Sequence, residues 1–273
     1  MIRDLHTHSN ASDGSLSPQA LLAYAAEHRV DVLAITDHDT LDAYDQLGAM
    51  NQSPVTLIPG IELSTTWNGH GIHILGLNID PQNQSLRTGV ARQQQTREKR
   101  ARTIAERLTR LGIDNPYDAV KRMAGSASIG RPHFARHLVD IGKVRDIRSA
   151  FRKYLGAGKM GDIKQGWASI SEVVDWIVAA DGAPVLAHPA KYKFTTTKLR
   201  AMFDDFKDAG GIGAEVVCGP QDDAVTKRLA GLAVDHELMA SAGSDFHHPA
   251  SKWSRPGGFP PLPRYVTPVW SAW

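Results

Sequence analysis

Met1-Ile2-Arg3-Asp4-Leu5-His6-Thr7-His8 opens the chain, and Asp13 follows shortly after. The first five residues read as a short strand. Side chains on an extended chain alternate between faces, so His6 and His8 point the same way. Two imidazoles side by side are suited to grip one divalent metal. More ligand-type residues stand in or just after later apolar runs: Asp37-His38-Asp39 after 32–36, Glu62 after 55–61, His73 inside 71–77, His188 after 184–187, and Asp245-Phe246-His247 after 239–244. Each has an ordinary explanation when taken alone. An HxH pair is a weak motif, His73 suits a satisfied core histidine, and Asp37-His38-Asp39 suits a solvated turn or helix cap. Recurrence at one position decides between the readings, because strand ends in parallel α/β barrels converge on a single active-site face.

Seven strand candidates occupy 2–5, 31–36, 55–61, 72–79, 184–187, 213–218 and 239–243, several of them short apolar runs of the kind buried parallel strands require. Helix patterns lie between them. Ser17 reads as an N-cap with Pro18 at the first helical position and Leu21, Leu22, Tyr24 and Ala25 turned inward. Further helices are expected at 42–50, 170–180 (capped by Ser169 or Ser171), 197–209 and 222–236. Strand–helix alternation with one converging ligand face predicts an α/β barrel. The alternation stops over 83–167, where helices are expected at 96–111 (with Ile104, Leu108 and Leu111 on one face), 115–123, 132–141 and 147–155. The chain therefore divides into 1–82 (first part of the barrel), 83–167 (a helical insertion domain) and 168–273 (second part of the barrel). Trp270 and Trp273, in the Pro- and Gly-rich tail, are expected to pack on the barrel surface.

The formal net charge of +2 conceals a strong asymmetry. The insertion holds 19 of the 31 Lys and Arg but only 7 of the 29 Asp and Glu. A segment this basic suggests a polyanionic partner, and the acidic remainder is what a multi-cation site requires. The competing view, a solvated helix with a charged face, covers residues 92–110 alone better than it covers the whole segment. No apolar run approaches the ~20 residues of a membrane span, and the start of the chain has no leader pattern. A single cysteine, Cys218, rules out an intramolecular disulfide framework. These features predict a cytoplasmic protein, with Cys218 a buried strand residue and His137 and His236 helix residues of no assigned role.

Assembled, the motifs resemble the polymerase and histidinol phosphatase (PHP) family of metal-dependent phosphoesterases. The resemblance lies in Asp4-Leu5-His6-Thr7-His8-Ser9 with Asp13-Gly14, Ala34-Ile35-Thr36-Asp37-His38-Asp39, Pro59-Gly60-Ile61-Glu62, His73-Ile74-Leu75-Gly76, Leu186-Ala187-His188-Pro189 and Gly243-Ser244-Asp245-Phe246-His247. A further stretch, Ile129-Gly130-Arg131-Pro132-His133-Phe134-Ala135-Arg136, is similar to the insertion of one subgroup, bacterial 3′,5′-nucleoside bisphosphate phosphatases and 5′→3′ exoribonucleases. The resemblance implies a distorted (β/α)7 barrel with three divalent metals, commonly manganese, with iron or zinc as alternatives. It implies one metal on His6, His8, Glu62 and Asp245, a second on Glu62, His73 and His188, and a third on Asp13, His38 and His247. The donor chemistry agrees in kind, since mixed imidazole and carboxylate ligands suit Mn, Fe or Zn.

For substrate, Arg131 is the strongest phosphate-binding candidate because a guanidinium can hold phosphate through two hydrogen bonds. His133 could bind phosphate or protonate a leaving oxygen, although a helix-capping turn would also explain Gly130-Arg131-Pro132-His133. Lys164, Lys191 and Tyr192 are secondary candidates. His248 reads as a surface residue, and the run 248–258 matches nothing in the family pattern. The expected substrates are a 3′,5′-bisphosphate such as adenosine 3′,5′-bisphosphate (pAp) and short RNA or RNA 5′ ends, with no membrane and no protein partner. Three rivals remain: a histidinol-phosphate-type phosphatase, an amidohydrolase, and a non-catalytic RNA-binding protein stabilised by metal.

Overall fold

A computed structural model describes residues 1–48, 53–251 and 254–273. Seven strands make one sheet in sequential order: β1 (Arg3–Thr7), β2 (Val32–Ile35), β3 (Thr56–Trp67), β4 (His70–Leu77), β5 (Ala183–Leu186), β6 (Gly213–Cys218) and β7 (Met239–Gly243). The sheet curls nearly shut. Just past β1 and β7, Asp245 N donates to His6 O at 2.8 Å and His8 N donates to Phe246 O at 2.9 Å. Gly243 permits this approach, because a Cβ there would lie 2.4 Å from His6 Cβ. Every predicted strand is present within a few residues of its expected limits, except that β3 runs well past 61.

That extension changes the topology. β3 reaches Trp67, and β4 folds back on it antiparallel, with Ser64 opposite His73. Asn68 and Gly69 make the turn with φ of 45° and 72°, the two positive angles that a tight two-residue hairpin requires. β4 is antiparallel to β5 as well, whereas β1–β2, β2–β3, β5–β6 and β6–β7 are parallel. One reversed strand thus interrupts an otherwise parallel order, which distorts the barrel.

Two of the barrel helices, α1 and α7, begin where the sequence provides a serine cap. α1 (Pro18–Glu27) starts from Ser17, whose side chain accepts from Ala20 N, and it buries Leu21, Leu22 and Ala25. α2 is Asp42–Leu47, and its expected continuation to Met50 falls on 49–52, outside the described residues. α7 (Ile170–Ala179) opens on a reciprocal capping box between Ser169 and Glu172, so Ser169 and not Ser171 is the cap. α8 (Thr196–Asp208) and α9 (Asp223–Asp235) add Phe203, Phe206 and Leu229 to the core that also buries Ile177 of α7.

Between β4 and α7 come α3 (Gln84–Thr109), α4 (Pro116–Ala124), α5 (Arg131–Asp140) and α6 (Ile147–Ala150), the last running into a π-helical turn, Phe151–Leu155. These helices bury Ile104, Leu108, Val120, Phe134, Leu138 and Leu155 together, in a cluster separate from the barrel's. α3 starts well before 96 and stops at Thr109, so Leu111 lies beyond it and is 46% exposed, contrary to expectation. In the tail, Trp270 packs on the barrel beneath the Arg3 guanidinium, whereas Trp273 is exposed and not packed as expected. Among the described residues no helix is long and apolar enough to cross a membrane.

Candidate metal centre

The His, Asp and Glu side chains singled out from the sequence converge at one end of the barrel. β1 delivers His6 and His8, with Nε2 atoms 3.1 Å apart. Glu62, fully buried in the middle of β3, forms the hub. Its Oε1 lies 2.8 Å from His73 Nδ1 and 2.9 Å from His188 Nε2. Its Oε2 lies 3.3 Å from both His6 Nε2 and His8 Nε2 and 3.0 Å from His38 Nδ1. Asp245 Oδ1 is 3.4 Å from His6 Nε2 and 3.2 Å from His8 Nε2. Asp13 completes the far side, 3.2 Å from His247 Nε2 and 3.8 Å from His38 Nε2. His73 reaches this end from the reversed strand β4, beside Ala187, whose N–H donates to His73 O. Two of these residues, His188 (φ 32°) and Asp245 (φ 50°), sit in the left-handed backbone region. Non-glycine residues in that region cost free energy and cluster at functional sites.

The donor set fits divalent metal. Glu62 Oε2 is buried among three imidazole nitrogens yet accepts no well-directed hydrogen bond from them, and Nδ1 of His8, His38 and His188 likewise makes no hydrogen bond. Lone pairs brought together in this way are matched by cations and not by one another. Among the described residues, groups of donor atoms within 4.8 Å of one another comprise His6, His8 and Asp245; His38, Glu62 and His73; His6, Glu62 and His188; His8, Asp13, His38 and His247; and His6, Glu215 and Cys218. Electrostatics keep the carboxylates ionised despite burial. Burial pushes Glu62 up, but His38, His73 and His6 hold it well below the usual range. Asp13 is lowered against its burial by His247 and His38, and Asp245 against its burial by Lys191 and His6. Clustered nitrogen and oxygen donors of this kind bind divalent metal.

Three further residues support the cluster: Glu215, which sequence reasoning passed over, and Asp37 and Asp39, which it noted beside His38 without giving either a role. Glu215, fully buried on β6, accepts from His6 Nδ1 at 3.0 Å and from the His188 amide at 2.7 Å. The carboxylate fixes the proton on Nδ1 and turns Nε2 of His6 inward, as partners of metal-ligating histidines do. An acid inside the apolar stretch Ala214–Cys218 was the signal. Asp37 accepts from Ser9 N, Ser9 Oγ and Ser12 Oγ and so braces the loop that carries Asp13. Asp39 accepts from Ser64 N at 2.7 Å and Arg97 Nε at 2.6 Å, joining the His38 loop to α3. Cys218 ends β6 and is only partly buried, short of the full burial expected.

Above the cluster opens a cleft of about 480 Å³, reached by His38, His73 and His188 on one side and by the inserted helices on the other. Arg131 lines it from the first turn of α5, donating to Leu155 O at 3.1 Å and facing Asp162 at 3.7 Å. Lys164 lines it too, 3.3 Å from Asp162. His133 does not line it. The ring is buried behind the wall, with Nδ1 accepting from Gly130 N at 3.0 Å to cap α5. Tyr192 lines the cleft, but its hydroxyl is occupied, accepting from His73 N and donating to Ala187 O, both at 2.9 Å. Lys191 is paired with Asp245. Arg100, on α3, went unnoticed in the sequence. It stacks on Trp167, 4.4 Å from the ring centre, and its buried Nη1 has no partner. Burial, with Arg131 and Arg97 alongside, pushes its guanidinium down to about 9, still charged at neutral pH. His248 is exposed, and Lys252 and Trp253 of the unmatched run lie outside the described residues.

Comparison with known proteins agrees with this construction. The PHP domain model matches residues 4–177. The chain is 41% identical over 276 residues to the 5′-3′ exoribonuclease Rnm of Salmonella typhimurium, covering 100% of this chain and 94% of the relative. It is 39% identical over 269 residues to a 3′,5′-nucleoside bisphosphate phosphatase of Chromobacterium violaceum, covering 98% and 94%. A solved structure from Chromobacterium violaceum, described as an amidohydrolase with bound sulfate and no metal, superposes with a TM-score of 0.92 at 38% identity, over 100% of this chain and 95% of that one. Motifs, barrel and full-length likeness lead to one conclusion: this chain belongs to the PHP family.

Proposed function

We propose that the protein is a metal-dependent phosphoesterase that removes the phosphate on the 3′-oxygen of 5′-phosphorylated nucleotides. It converts a 3′,5′-nucleoside bisphosphate to a 5′-mononucleotide and phosphate, and it acts as a 5′→3′ exoribonuclease on short RNA or RNA 5′ ends. One observation carries the reading: a buried imidazole–carboxylate cluster shares its cleft with Arg100, Arg131 and Lys164. The names of the relatives at 39–41% identity fit both activities.

The two activities are one reaction. Water adds to phosphorus as the P–O3′ bond breaks, and the 3′-oxygen leaves with a proton. In a bisphosphate this releases inorganic phosphate. In RNA it releases the first nucleotide as a 5′-monophosphate and leaves a new 5′-phosphate on the shortened chain. Three divalent ions, Mn2+ in our reading, would sit on His6, His8, Glu62 and Asp245; on Glu62, His73 and His188; and on Asp13, His38 and His247. Divalent ions there supply charge to the phosphoryl oxygens and acidify the attacking water. The protein's own part is to fix the donors: Glu215 orients His6, Asp37 holds the Asp13 loop, and the Asp245 carbonyl accepts from His247 Nδ1 at 2.9 Å and so leaves Nε2 facing Asp13. Arg100 and Arg131 then engage the 5′-phosphate, and His133 positions Arg131 by capping its helix. We also assign 83–167 as an insertion domain, supported by the separate apolar cluster of α3–α6, and the cytoplasm as location, supported by the single cysteine.

Hydrolysis of adenosine 3′,5′-bisphosphate with Mn2+, beside histidinol phosphate and a dipeptide, tests the reading. The expected result is adenosine 5′-monophosphate and phosphate from the first, lost on chelation, with little from the others. Preferred turnover of histidinol phosphate or the dipeptide overturns the nucleotide assignment, and activity indifferent to chelator overturns the metal assignment.

A further inference from the structure

The inserted helices carry a second cationic surface outside the metal cleft. A groove of about 580 Å³ opens between the end of α5 and the π-helical turn, with Val139, Val144 and Ser149 at its floor. Lys143, Arg145, Arg152 and Lys153 form its rim, all four exposed. Arg145 alone of these four has a carboxylate partner, Asp146 at 2.9 Å, among the described residues. Over 141–161 Asp146 is also the only acid, against six Lys and Arg. Four like charges around one depression repel each other, an arrangement that stabilises nothing in the free protein and that an anion relieves.

The π-helical turn connects this groove to the cleft. Phe151 and Gly156, at either end of the turn, line the metal cleft, while Arg152 and Lys153 between them line the groove. The two surfaces are thus separated by the thickness of one helix, about 10–12 Å. Turns of this type are uncommon and occur often at functional sites. A small bisphosphate held at the metal centre ends inside the cleft. A longer strand must leave it, and the turn that puts Phe151 on the cleft puts Arg152 and Lys153 on the groove.

We infer that this groove is an RNA-binding exosite, which takes the backbone of the single strand downstream of the nucleotide being removed. The inference rests on the proposed exoribonuclease activity and adds to it a determinant of substrate length. Backbone phosphates supply the anions, and recognition of this kind depends strongly on salt and little on sequence.

The test uses full-length protein with Lys143, Arg145, Arg152 and Lys153 all changed to Gln. Hydrolysis of adenosine 3′,5′-bisphosphate should be unchanged within about twofold, which also reports an intact fold. On a 5′-phosphorylated RNA 12-mer kcat/KM should fall at least tenfold, while a 5′-phosphorylated dinucleotide should be spared. Anisotropy of a labelled 12-mer, read with chelator present to stop turnover, should show weaker binding. The slope of log affinity against log salt should shrink by about 0.7 per lost phosphate contact. A 12-mer bound and cleaved as well by the variant as by the parent overturns the exosite, and so does poly-glutamate that competes as effectively as RNA. If the parent cleaves no substrate, the proposed function fails by itself, and the binding measurement still decides the groove.

Discussion

At the scale of the residue, the sequence put Arg131 first among the phosphate-binding candidates, ahead of His133, Lys164, Lys191 and Tyr192, and the proposed function adds Arg100 beside it. Arg131 sits in the motif Gly130-Arg131-Pro132-His133, but its guanidinium already meets Leu155 O and Asp162. Arg100 has a buried Nη1 without a partner and a stacking platform in Trp167, so it is the cation more in need of an anion. Hydrogen bonds to charged groups contribute about 1.5–3 kcal/mol. Arg100→Ala should therefore lower kcat/KM for a 3′,5′-bisphosphate by about ten- to a hundredfold. A nucleoside 3′-monophosphate, which lacks the second phosphate, should lose far less. Steady-state kinetics on both substrates checks this, and equal losses would put Arg100 at the scissile phosphate instead. The metal-type donors were legible one by one because each is a polar residue in or beside an apolar run. Arg100 was not, because it is one of many cations on a long basic helix, and only the packing of Trp167 against α3 distinguishes it.

Among the elements, two close approaches set the shape of the site. β1 and β7 meet at Gly243, where a methyl group would lie 2.4 Å from His6 Cβ and 3.0 Å from Glu215 Oε1. Overpacking of this kind costs about 1–3 kcal/mol. Gly243→Ala should lower Tm by several degrees and reduce activity as well, because the side chain displaced carries a donor. The hairpin turn provides the contrast. Gly69 has φ of +72° with open space around its Cα, so Gly69→Ala should cost about 1–2 kcal/mol of backbone strain and leave kcat intact. Thermal melts beside kinetics separate the two, and a Gly243→Ala enzyme of full activity would refute the account of closure. The Asn68-Gly69 pair was a readable hairpin signal. The sequence reading ended its strand at 61, before the turn, so the reversal of β4 went unseen, although His73 itself was identified.

For the molecule as a whole, the cluster joins stability to metal. Asp13, Glu62 and Glu215 are carboxylates buried at one end of the barrel, Asp245 beside them is partly buried, and the four come from the loop after β1, from β3, from β6 and from the end of β7. Ligand that binds only the folded state adds about 2.7 kcal/mol for each site at a hundred times its Kd. For a chain of this size each kcal/mol moves Tm by about 2–4 °C. Mn2+ should therefore raise Tm by several degrees over chelated protein. Glu62→Gln, which removes the shared charge, should reduce that increment and abolish turnover while the circular dichroism spectrum stays that of the parent. Calorimetry with and without Mn2+ measures it, and a melt unaffected by metal in the parent would remove Glu62 from its place at the hub.

What the sequence determined by itself was local. Apolar runs of strand length, capped helices and polar residues at their ends follow from propensities that act over a few neighbours. That is why seven strands, the main helices and the metal-type donors could be read before any contact was known. Which atoms meet was decided by the tertiary structure. Glu215 reaches His6 across 209 positions, β4 enters against its neighbours, His133 turns away from the cleft to cap its helix, and Arg97 joins α3 to the His38 loop through Asp39. These outcomes depend on distances set by closure of the barrel and by the docking of the inserted helices. A one-dimensional pattern holds the residue types for those contacts, but their partners are chosen only when the chain is compact.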